Sequence, residues 1–304
     1  MIWIQKYRPT KFDELVDLEN IKKELGNSKM ENCPHLLFFG NSGTGKTTVA
    51  EILARKFLGK NYKSNFKELN ASDERGIGIV REDIKLFCKS QPTGTSRRMI
   101  FLDEADHLTD EAQHALRRIM EKYQKNCLFI LSCNYLSKII SAIQSRCAVY
   151  SFPNITQKGI VDMLKRICVG ESLDFESNAL NLIAEQSNGD LRRAINMLQT
   201  MALKGSIKEG DVEKSISTDK LLDYITKKQF IPAKVRVEEL MNDGISPREL
   251  VLSMKDSILL NNKIKNKDKA EFLLLLSDVD YKLVMGATPL LQMLRMILEG
   301  MKIC

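Results

Sequence analysis

Short apolar runs alternate with helical patterns through the first half of the chain. Between the third and fourth runs, apolar residues recur at helical spacing over Asp110–Tyr123, with Thr109 in the N-cap position. Strands that alternate with helices are typical of a parallel sheet covered by helices. The five predicted strands cover His35–Phe39, Lys67–Asn70, Met99–Asp103, Leu128–Cys133 and Ala148–Phe152.

The pattern changes after Pro153, because only helical spacing follows. We therefore predict an α/β domain over 1–156, a small helical domain over 157–217 and a second helical domain over 218–304. The helices predicted in the first of these helical domains are Gln157–Val169, Ser177–Gln186 and Leu191–Ala202.

The last domain has Leu- and Met-rich stripes over 271–284 and 288–301, with turns predicted at Asn242–Pro247 and Lys263–Lys267. Within the first stripe, Phe272–Leu276 is apolar on all sides. Such a segment is usually buried between other helices, which belong either to this chain or to another subunit.

Composition excludes several classes of protein. The chain has 304 residues and a net charge of +7, and 43% of its residues are hydrophobic, which excludes a disordered chain. No apolar run is long enough to span a bilayer, and the N-terminus lacks the features of a signal peptide, so we expect an intracellular protein that is not inserted in a membrane. The seven cysteines form no C-x-x-C pair, and we expect reduced core thiols. Most of the basic excess lies in residues 1–156, which fits either a solvated surface or nucleic-acid binding.

A nucleotide site is predicted directly after the first strand. Gly40–Thr47 matches G-x-x-x-x-G-K-[ST], and a helical pattern over Thr48–Leu58 follows. In this motif the backbone N–H groups surround the phosphates, the lysine, here Lys46, reaches the β- and γ-phosphates, and the hydroxyl of Thr47 ligates Mg²⁺. We therefore expect ATP and Mg²⁺ as cofactors.

The third strand ends in two carboxylates. Asp103 is expected beside the magnesium ion, and Glu104 is expected to orient or polarise the attacking water, which favours hydrolysis over passive nucleotide binding. The segment 103–106 also spells D-E-A-D, as in RNA helicases, but those enzymes have a second nucleotide-fold domain. No second set of strands follows Pro153.

Eight motifs in order resemble the small subunits of the replication factor C clamp loader, which are AAA+ ATPases. These motifs are Trp3–Pro9, Gly40–Thr47, Leu69–Ile77, Phe101–Asp106, Ala115–Arg118, Ser132–Tyr135, Ser145–Cys147 and Gly189–Ala194. The resemblance implies an α/β P-loop AAA+ domain with a five-stranded parallel sheet and flanking helices. A small helical lid and an all-α C-terminal collar would follow it.

The resemblance also implies roles for individual residues. Asn134 would be a sensor that positions the water and the γ-phosphate, Arg192 a second sensor that reaches the phosphates from the lid, and Arg146 an arginine finger in the neighbouring subunit's site. Together with Lys46, Asp103 and Glu104 they make up the expected catalytic set. Further nucleotide contacts are expected at Ile4, Tyr7, Arg8, Gly40, Asn41, Ser42, Gly43, Thr44, Gly45, Thr47 and Thr48. The chain departs from the family at Asn41 and Ser42, where two prolines are usual, and at Gln5 and Leu136.

Partners follow from the same resemblance. The family forms a heteropentamer that encircles primer-template DNA and contacts its phosphates, for which Arg81 and Lys138 match best and Arg75 and Lys85 less closely. Met120 and Tyr123 match the surface that packs on the sliding clamp, although both also fit the buried face of helix Asp110–Tyr123.

These features predict an ATPase subunit that opens a sliding clamp of the proliferating cell nuclear antigen type and loads it onto DNA. The alternative is a structural subunit of the same assembly that binds nucleotide and donates an arginine finger but turns over little ATP. A branch-migration motor lacks support from the Ser145–Cys147 motif. The compartment would be the nucleus in a eukaryote, which the cysteine context favours, and the cytoplasm in an archaeon.

Overall fold

The computed structural model describes residues 2–72, 78, 80–203, 205–211, 218–261 and 264–303. The chain divides into two compact units, Met1–Val212 and Glu213–Cys304. The first unit holds the predicted α/β and lid domains, and the second holds the predicted collar; the exact domain boundaries remain predictions. Arg75, Lys263 and Cys304 lie outside the described residues.

Within the described residues of the first unit, five strands form one parallel sheet, in which the strand that begins at His35 lies between those that begin at Cys127 and Cys147. All five predicted strands are confirmed, and each differs from its predicted range by one residue at one end. The strands are β1 (His35–Gly40), β2 (Phe66–Asn70), β3 (Arg98–Asp103), β4 (Cys127–Cys133) and β5 (Cys147–Phe152). Their order in the sheet is β2-β3-β4-β1-β5.

The three central strands are apolar on both faces because both faces of the sheet are covered. Along β1, Leu37 belongs to the core on one side of the sheet, and Leu36 and Phe38 belong to the core on the other side. Side chains alternate between the faces of a strand, so a strand covered on both sides needs a continuous apolar run. This explains why the sequence shows continuous apolar runs in these strands and not an alternation of apolar and polar residues.

Helices flank the sheet and form the lid. The helix Asp110–Tyr123, named α6, has the predicted bounds, and the Thr109 hydroxyl caps it by accepting a hydrogen bond from the backbone N–H of Ala112. Helix α3 begins at Lys46, two residues before the predicted start. The α-helices described in the first unit are α1 (Trp3–Lys6), α2 (Glu19–Gly26), α3 (Lys46–Leu58), α4 (Tyr62–Asn65), α5 (Lys85–Lys89), α6 (Asp110–Tyr123), α7 (Ser141–Gln144), α8 (Gln157–Gly170), α9 (Ser177–Gln186) and α10 (Leu191–Ala202).

In the second unit, the described residues form α-helices joined by turns and loops, with no strand among them. Phe272, Leu275 and Leu276 are buried in its core, whereas Leu274 is 72% exposed, so the helices of this unit cover only part of the apolar segment. No described helix is both long and apolar enough to cross a membrane. The helices are α11 (Asp219–Thr226), α12 (Phe230–Asn242), α13 (Pro247–Leu260), α14 (Asn266–Val284) and α15 (Pro289–Ile303).

The described cysteines are all free thiols, as the sequence predicts. Cys147 is partly exposed, and burial raises its pKa to about 12. The buried thiols are Cys33, Cys88, Cys127, Cys133 and Cys168.

Candidate nucleotide site

The phosphate loop joins the carboxyl end of β1 to the start of α3. Gly43 lies in this loop with a φ of +72°, and a Cβ atom on it would lie 1.8 Å from Oδ1 of Asp190, which belongs to the lid. Only glycine combines that backbone conformation with so close an approach. The loop therefore meets the lid directly, and both surround the same space.

Lys46 is buried at the base of this space. Its Nζ donates to the backbone oxygens of Gly40 at 2.7 Å and Asn41 at 2.8 Å, and to Oδ1 of Asn134 at 3.1 Å. Burial lowers the pKa of Lys46, and the Asp103 carboxylate opposes that effect. The ammonium thus lies among oxygen acceptors at the end of β4, where the predicted sensor Asn134 follows the strand.

The two carboxylates lie where β3 ends. Oδ2 of Asp103 accepts a hydrogen bond of 2.8 Å from the Thr47 hydroxyl, and Oδ1 accepts from the Ser132 hydroxyl and, at 3.1 Å, from the backbone N–H of Glu104. Glu104 itself has a φ of +54°, which is uncommon for a residue with a side chain. Such backbone strain is typical of functional positions.

The oxygen donors present fit a magnesium ion. Thr47 and Asp103 offer a hydroxyl and a carboxylate side by side, and Mg²⁺ is usually held by one or two protein oxygens together with substrate phosphates. In the described part of the chain, no cluster of three or more His, Cys, Asp or Glu side chains forms a self-sufficient metal site. A magnesium site that the protein shares with the phosphates of a nucleotide suits the Thr47 hydroxyl and the Asp103 carboxylate.

One cavity of about 350 Å³ brings most predicted residues together. Gly40 and Asn41 do not line it, although both bind Lys46 through their backbone oxygens. The predicted residues in its wall are Ile4, Tyr7, Arg8, Ser42, Gly43, Thr44, Gly45, Lys46, Thr47, Thr48, Asp103, Glu104, Asn134 and Arg192.

The apolar half of the cavity wall was missed by sequence reasoning. Leu15 and Leu18 reach it from the segment before α2, and Ile155, Met163 and Ile195 reach it from the lid side. Their spacing in the sequence is that of ordinary core residues, so no motif marks them. An apolar wall beside a polar phosphate loop suits the flat base of a nucleotide.

The N-terminal segment ties the lid to α3 beside the cavity. Tyr7 Oη donates to Oε1 of Glu171 at 2.7 Å, which attaches the segment to the lid. Arg8 pairs with Oε1 of Glu51 at 2.7 Å and donates from Nε to the Thr48 hydroxyl at 3.3 Å, which attaches it to α3. Both side chains border the cavity through these contacts.

Arg192 enters the cavity from the lid. It occupies the second position of α10, whose N-cap Asp190 accepts from the backbone N–H of Arg193 at 3.0 Å. The same Asp190 carboxylate packs on Gly43 of the phosphate loop. The helix that carries Arg192 is therefore anchored at the loop that would surround the phosphates.

Arg146 lies at the opposite edge of the sheet. It pairs with Glu121, donates to the backbone oxygen of Ala142 at 2.6 Å, and lines a second cavity of about 540 Å³ at the amino ends of the strands. The phosphate loop starts from the carboxyl end of β1, so Arg146 cannot act on the nucleotide of its own chain. A residue that acts at a neighbouring subunit's nucleotide site must lie away from the nucleotide site of its own chain, as Arg146 does.

The predicted DNA-contacting residues fall in different surroundings. Lys138 is exposed in the turn Leu136–Lys138, with Nζ 5.1 Å from the ring centroid of Tyr135, and Lys85 is exposed at the start of α5. Arg81 lies in the π-helical turn Val80–Ile84, and Arg75 lies outside the described residues.

The structure contradicts the placement of Met120 and Tyr123 on a clamp-binding surface. Met120 has no exposed surface and Tyr123 is 9% exposed, and both belong to the core between α6 and the sheet. They occupy the buried stripe of an amphipathic helix, which was the alternative that the sequence left open.

His35 lines the cavity that Arg146 also lines, and its burial predicts how the free energy of unfolding depends on pH. Burial, and secondarily the Arg97 cation, lower the pKa of His35 from 6.5 to about 4. The unfolded chain gains this proton near pH 6.5 and the folded chain only near pH 4. The free energy of unfolding is therefore expected to fall by roughly 3 kcal/mol as the pH drops through that window.

This expectation is checked by denaturant unfolding of the parent and of His35→Gln across the same pH window. The variant should lose this part of the acid dependence, whereas His114→Gln, at an exposed position of α6, should keep it. Equal acid dependence in the parent and in His35→Gln would contradict a buried neutral histidine.

Three family models match the chain in the predicted order. They are "ATPase family associated with various cellular activities" at residues 36–153, "RCF1/5-like, AAA+ ATPase lid domain" at 162–203, and "Replication factor C C-terminal domain" at 214–299. A replication factor C small subunit of Methanoculleus marisnigri is 43% identical and covers 96% of this chain and 94% of its own length. The chain belongs to the replication factor C small-subunit family. Small subunit 1 of Pyrobaculum aerophilum is 41% identical over 96% of this chain and 92% of its own length.

Solved structures show the same fold outside the replication factor C family. The Holliday junction branch migration motor RuvB of Thermotoga maritima has 20% sequence identity and a TM-score of 0.57, and the match covers 82% of this chain and 85% of that one. At this identity the likeness concerns the fold alone. Family membership thus rests on the replication factor C relatives and confirms the resemblance stated from the motifs.

Proposed function

We propose that the chain is an ATP-hydrolysing subunit of a heteropentameric clamp loader that opens a sliding clamp and places it on primer-template DNA. The observation that carries this proposal is the convergence of a phosphate loop, two strand-end carboxylates and a lid arginine on one cavity. Lys46, Glu104 and Arg192 come from three separate segments, and each is a residue type that phosphoryl transfer requires.

The residues of the chain would divide the chemical work among them. Magnesium-bound ATP supplies a phosphoryl group whose transfer to water releases the energy used in loading. Lys46 would bind the phosphates, and Thr47 and Asp103 would hold the metal. Glu104 would take the proton of the attacking water, and the amide of Asn134 would orient that water.

A neighbouring subunit would complete the site. Arg146 does not line the nucleotide cavity of its own chain and is partly exposed, with Glu121 as its ion-pair partner. We propose that it leaves Glu121 in the assembly and adds positive charge beside the phosphates bound by the next subunit. Each subunit would then depend on its neighbour for full turnover.

DNA contacts would use charge rather than sequence. We propose that the exposed Lys138 and Lys85, with Arg81 in the neighbouring helical turn, contact DNA phosphates. Contacts of this kind position a duplex without reading its bases. The relatives reported above are archaeal, for which the compartment would be the cytoplasm.

Replacing the proposed base distinguishes a working ATPase from a scaffold. Glu104→Gln in this subunit alone is expected to lower the DNA- and clamp-stimulated turnover at this site by about a hundredfold, since the amide cannot take a proton, while nucleotide binding is retained. The measurement is ATP hydrolysis by the assembled complex when the other sites are inactivated.

The matched control is Glu111→Gln, at an exposed position in the first turn of α6. It should leave turnover unchanged. If Glu104→Gln also leaves the stimulated turnover unchanged, the chain is a structural subunit that binds nucleotide and donates its arginine finger.

A further inference from the structure

Three asparagines connect the phosphate loop to the lid outside the nucleotide cavity. Asn41, in the loop, donates from Nδ2 to Oδ1 of Asn154 at 2.8 Å. Asn154 lies between β5 and α8, and its own Nδ2 donates to the backbone oxygen of Asn188 at 3.3 Å. The chain of bonds leads from the loop to the turn that precedes α10, the helix that carries Arg192.

Backbone contacts fix Asn154 firmly to that turn. The N–H of Ile155 donates to the backbone oxygen of Gly189 at 3.2 Å. Gly189 has a φ of +84°, and a Cβ atom on it would lie 2.5 Å from Cβ of Asn154. Asn154 therefore has several contacts on the lid side, whereas the amide of Asn41 is its hydrogen-bond partner in the phosphate loop.

Asn41 links the same contact to Lys46. Its backbone oxygen accepts from Lys46 Nζ at 2.8 Å and from the Thr44 hydroxyl at 2.8 Å. A residue without a side-chain N–H donor at this position could not donate to Asn154. The side-chain link to the lid therefore starts from the residue whose backbone oxygen also binds Lys46.

We propose that Asn154 is a positioning residue that holds the lid, and with it Arg192, against the phosphate loop through Asn41. The inference rests on the proposed nucleotide-binding function. An amide side chain suits this role because it accepts from one partner and donates to another without bringing a charge near the phosphates. Loss of the link frees the lid to open and shortens the residence time of a bound nucleotide.

A double-mutant cycle on the full chain tests the link through the dissociation rate of a fluorescent ADP analogue. Asn41→Ala is expected to speed dissociation about fivefold in the parent, which is the effect of one neutral hydrogen bond, and to have no further effect in Asn154→Ala. Asn178→Ala is the control, because that exposed lid asparagine donates its hydrogen bond to Oε2 of Glu209 and not to the phosphate loop. It should leave the rate unchanged.

The inference would be overturned if Asn41→Ala changed the dissociation rate by the same factor in the parent and in Asn154→Ala, or if it changed the rate in neither. Hydrogen exchange without nucleotide gives a second readout that is independent of binding. The amide of Ile155 should exchange several times faster in Asn41→Ala than in the parent, and an unchanged rate would also overturn the inference. If the parent chain binds no ADP analogue, the proposed function fails, while the exchange rates still decide whether the link exists.

Discussion

Replacement of Lys46 by methionine is expected to lower the affinity of the chain for ATP by about 10²–10⁴-fold. The ammonium lies among the oxygens of Gly40, Asn41 and Asn134 at the base of the cavity, where it can turn to two phosphates. Each charge-assisted hydrogen bond contributes about 1.5–3 kcal/mol, and two of them give that range. Methionine keeps the length and the apolar stem of lysine, so the fold should persist.

A second lysine of the same helix provides a close control. Lys56 Nζ also donates to backbone oxygens, those of Leu25 and Ser28 among them, and burial lowers its pKa as it does for Lys46. It lies at the far end of α3 from the phosphate loop. Lys56→Met should therefore bind ATP as the parent does, in equilibrium titrations with a fluorescent analogue. Equal affinity of Lys46→Met and the parent would contradict the assignment of the cavity.

Replacement of Arg146 by alanine is expected to lower ATP turnover at the neighbouring subunit's site by about 10³–10⁵-fold, the range known for arginine fingers. The affinity of this chain for its own nucleotide should not change, because Arg146 lies at the amino ends of the strands and the cavity lies at their carboxyl ends. The measurement is single-turnover hydrolysis in an assembled complex in which only the neighbour's site is active.

Arg166→Ala is the matched control for that experiment, since Arg166 is an exposed arginine of α8. It should leave turnover at the neighbour's site unchanged. Two results for Arg146→Ala would contradict the proposed role. One is full turnover at the neighbour's site, and the other is a loss of this chain's own nucleotide affinity as large as the loss of turnover at the neighbour's site.

Much of the first domain was predictable because its physical signals are local. A strand covered on both faces must be apolar throughout, so the runs that became β1, β3 and β4 are continuous. The phosphate loop is recognisable because its glycines and Lys46 stand at fixed spacing. Asp103 could be placed from the end of its strand alone, whereas the role expected of Asn134 came from the resemblance to the family.

Other features depend on tertiary contacts that a single sequence does not show. The helical spacing of Met120 indicates a buried stripe, but it does not tell whether the stripe faces the sheet or a partner, and the structure places it on the sheet. The apolar wall formed by Leu15 and Met163 joins segments that are far apart in the chain. Leu274 on α14 is a similar case in the second unit, because the spacing of apolar residues in the sequence does not tell what covers this exposed side chain in an assembly.

We propose that ATP bound and hydrolysed by this chain drives the loading of a sliding clamp onto DNA. The most direct measurement is the amount of clamp retained on primed circular DNA after incubation with the assembled complex and ATP, with the parent chain or with Lys46→Met as this subunit. We predict stable clamp on DNA with the parent chain and a loss of most of it with Lys46→Met. Equal loading by both complexes would show that the nucleotide site of this chain does not drive clamp loading.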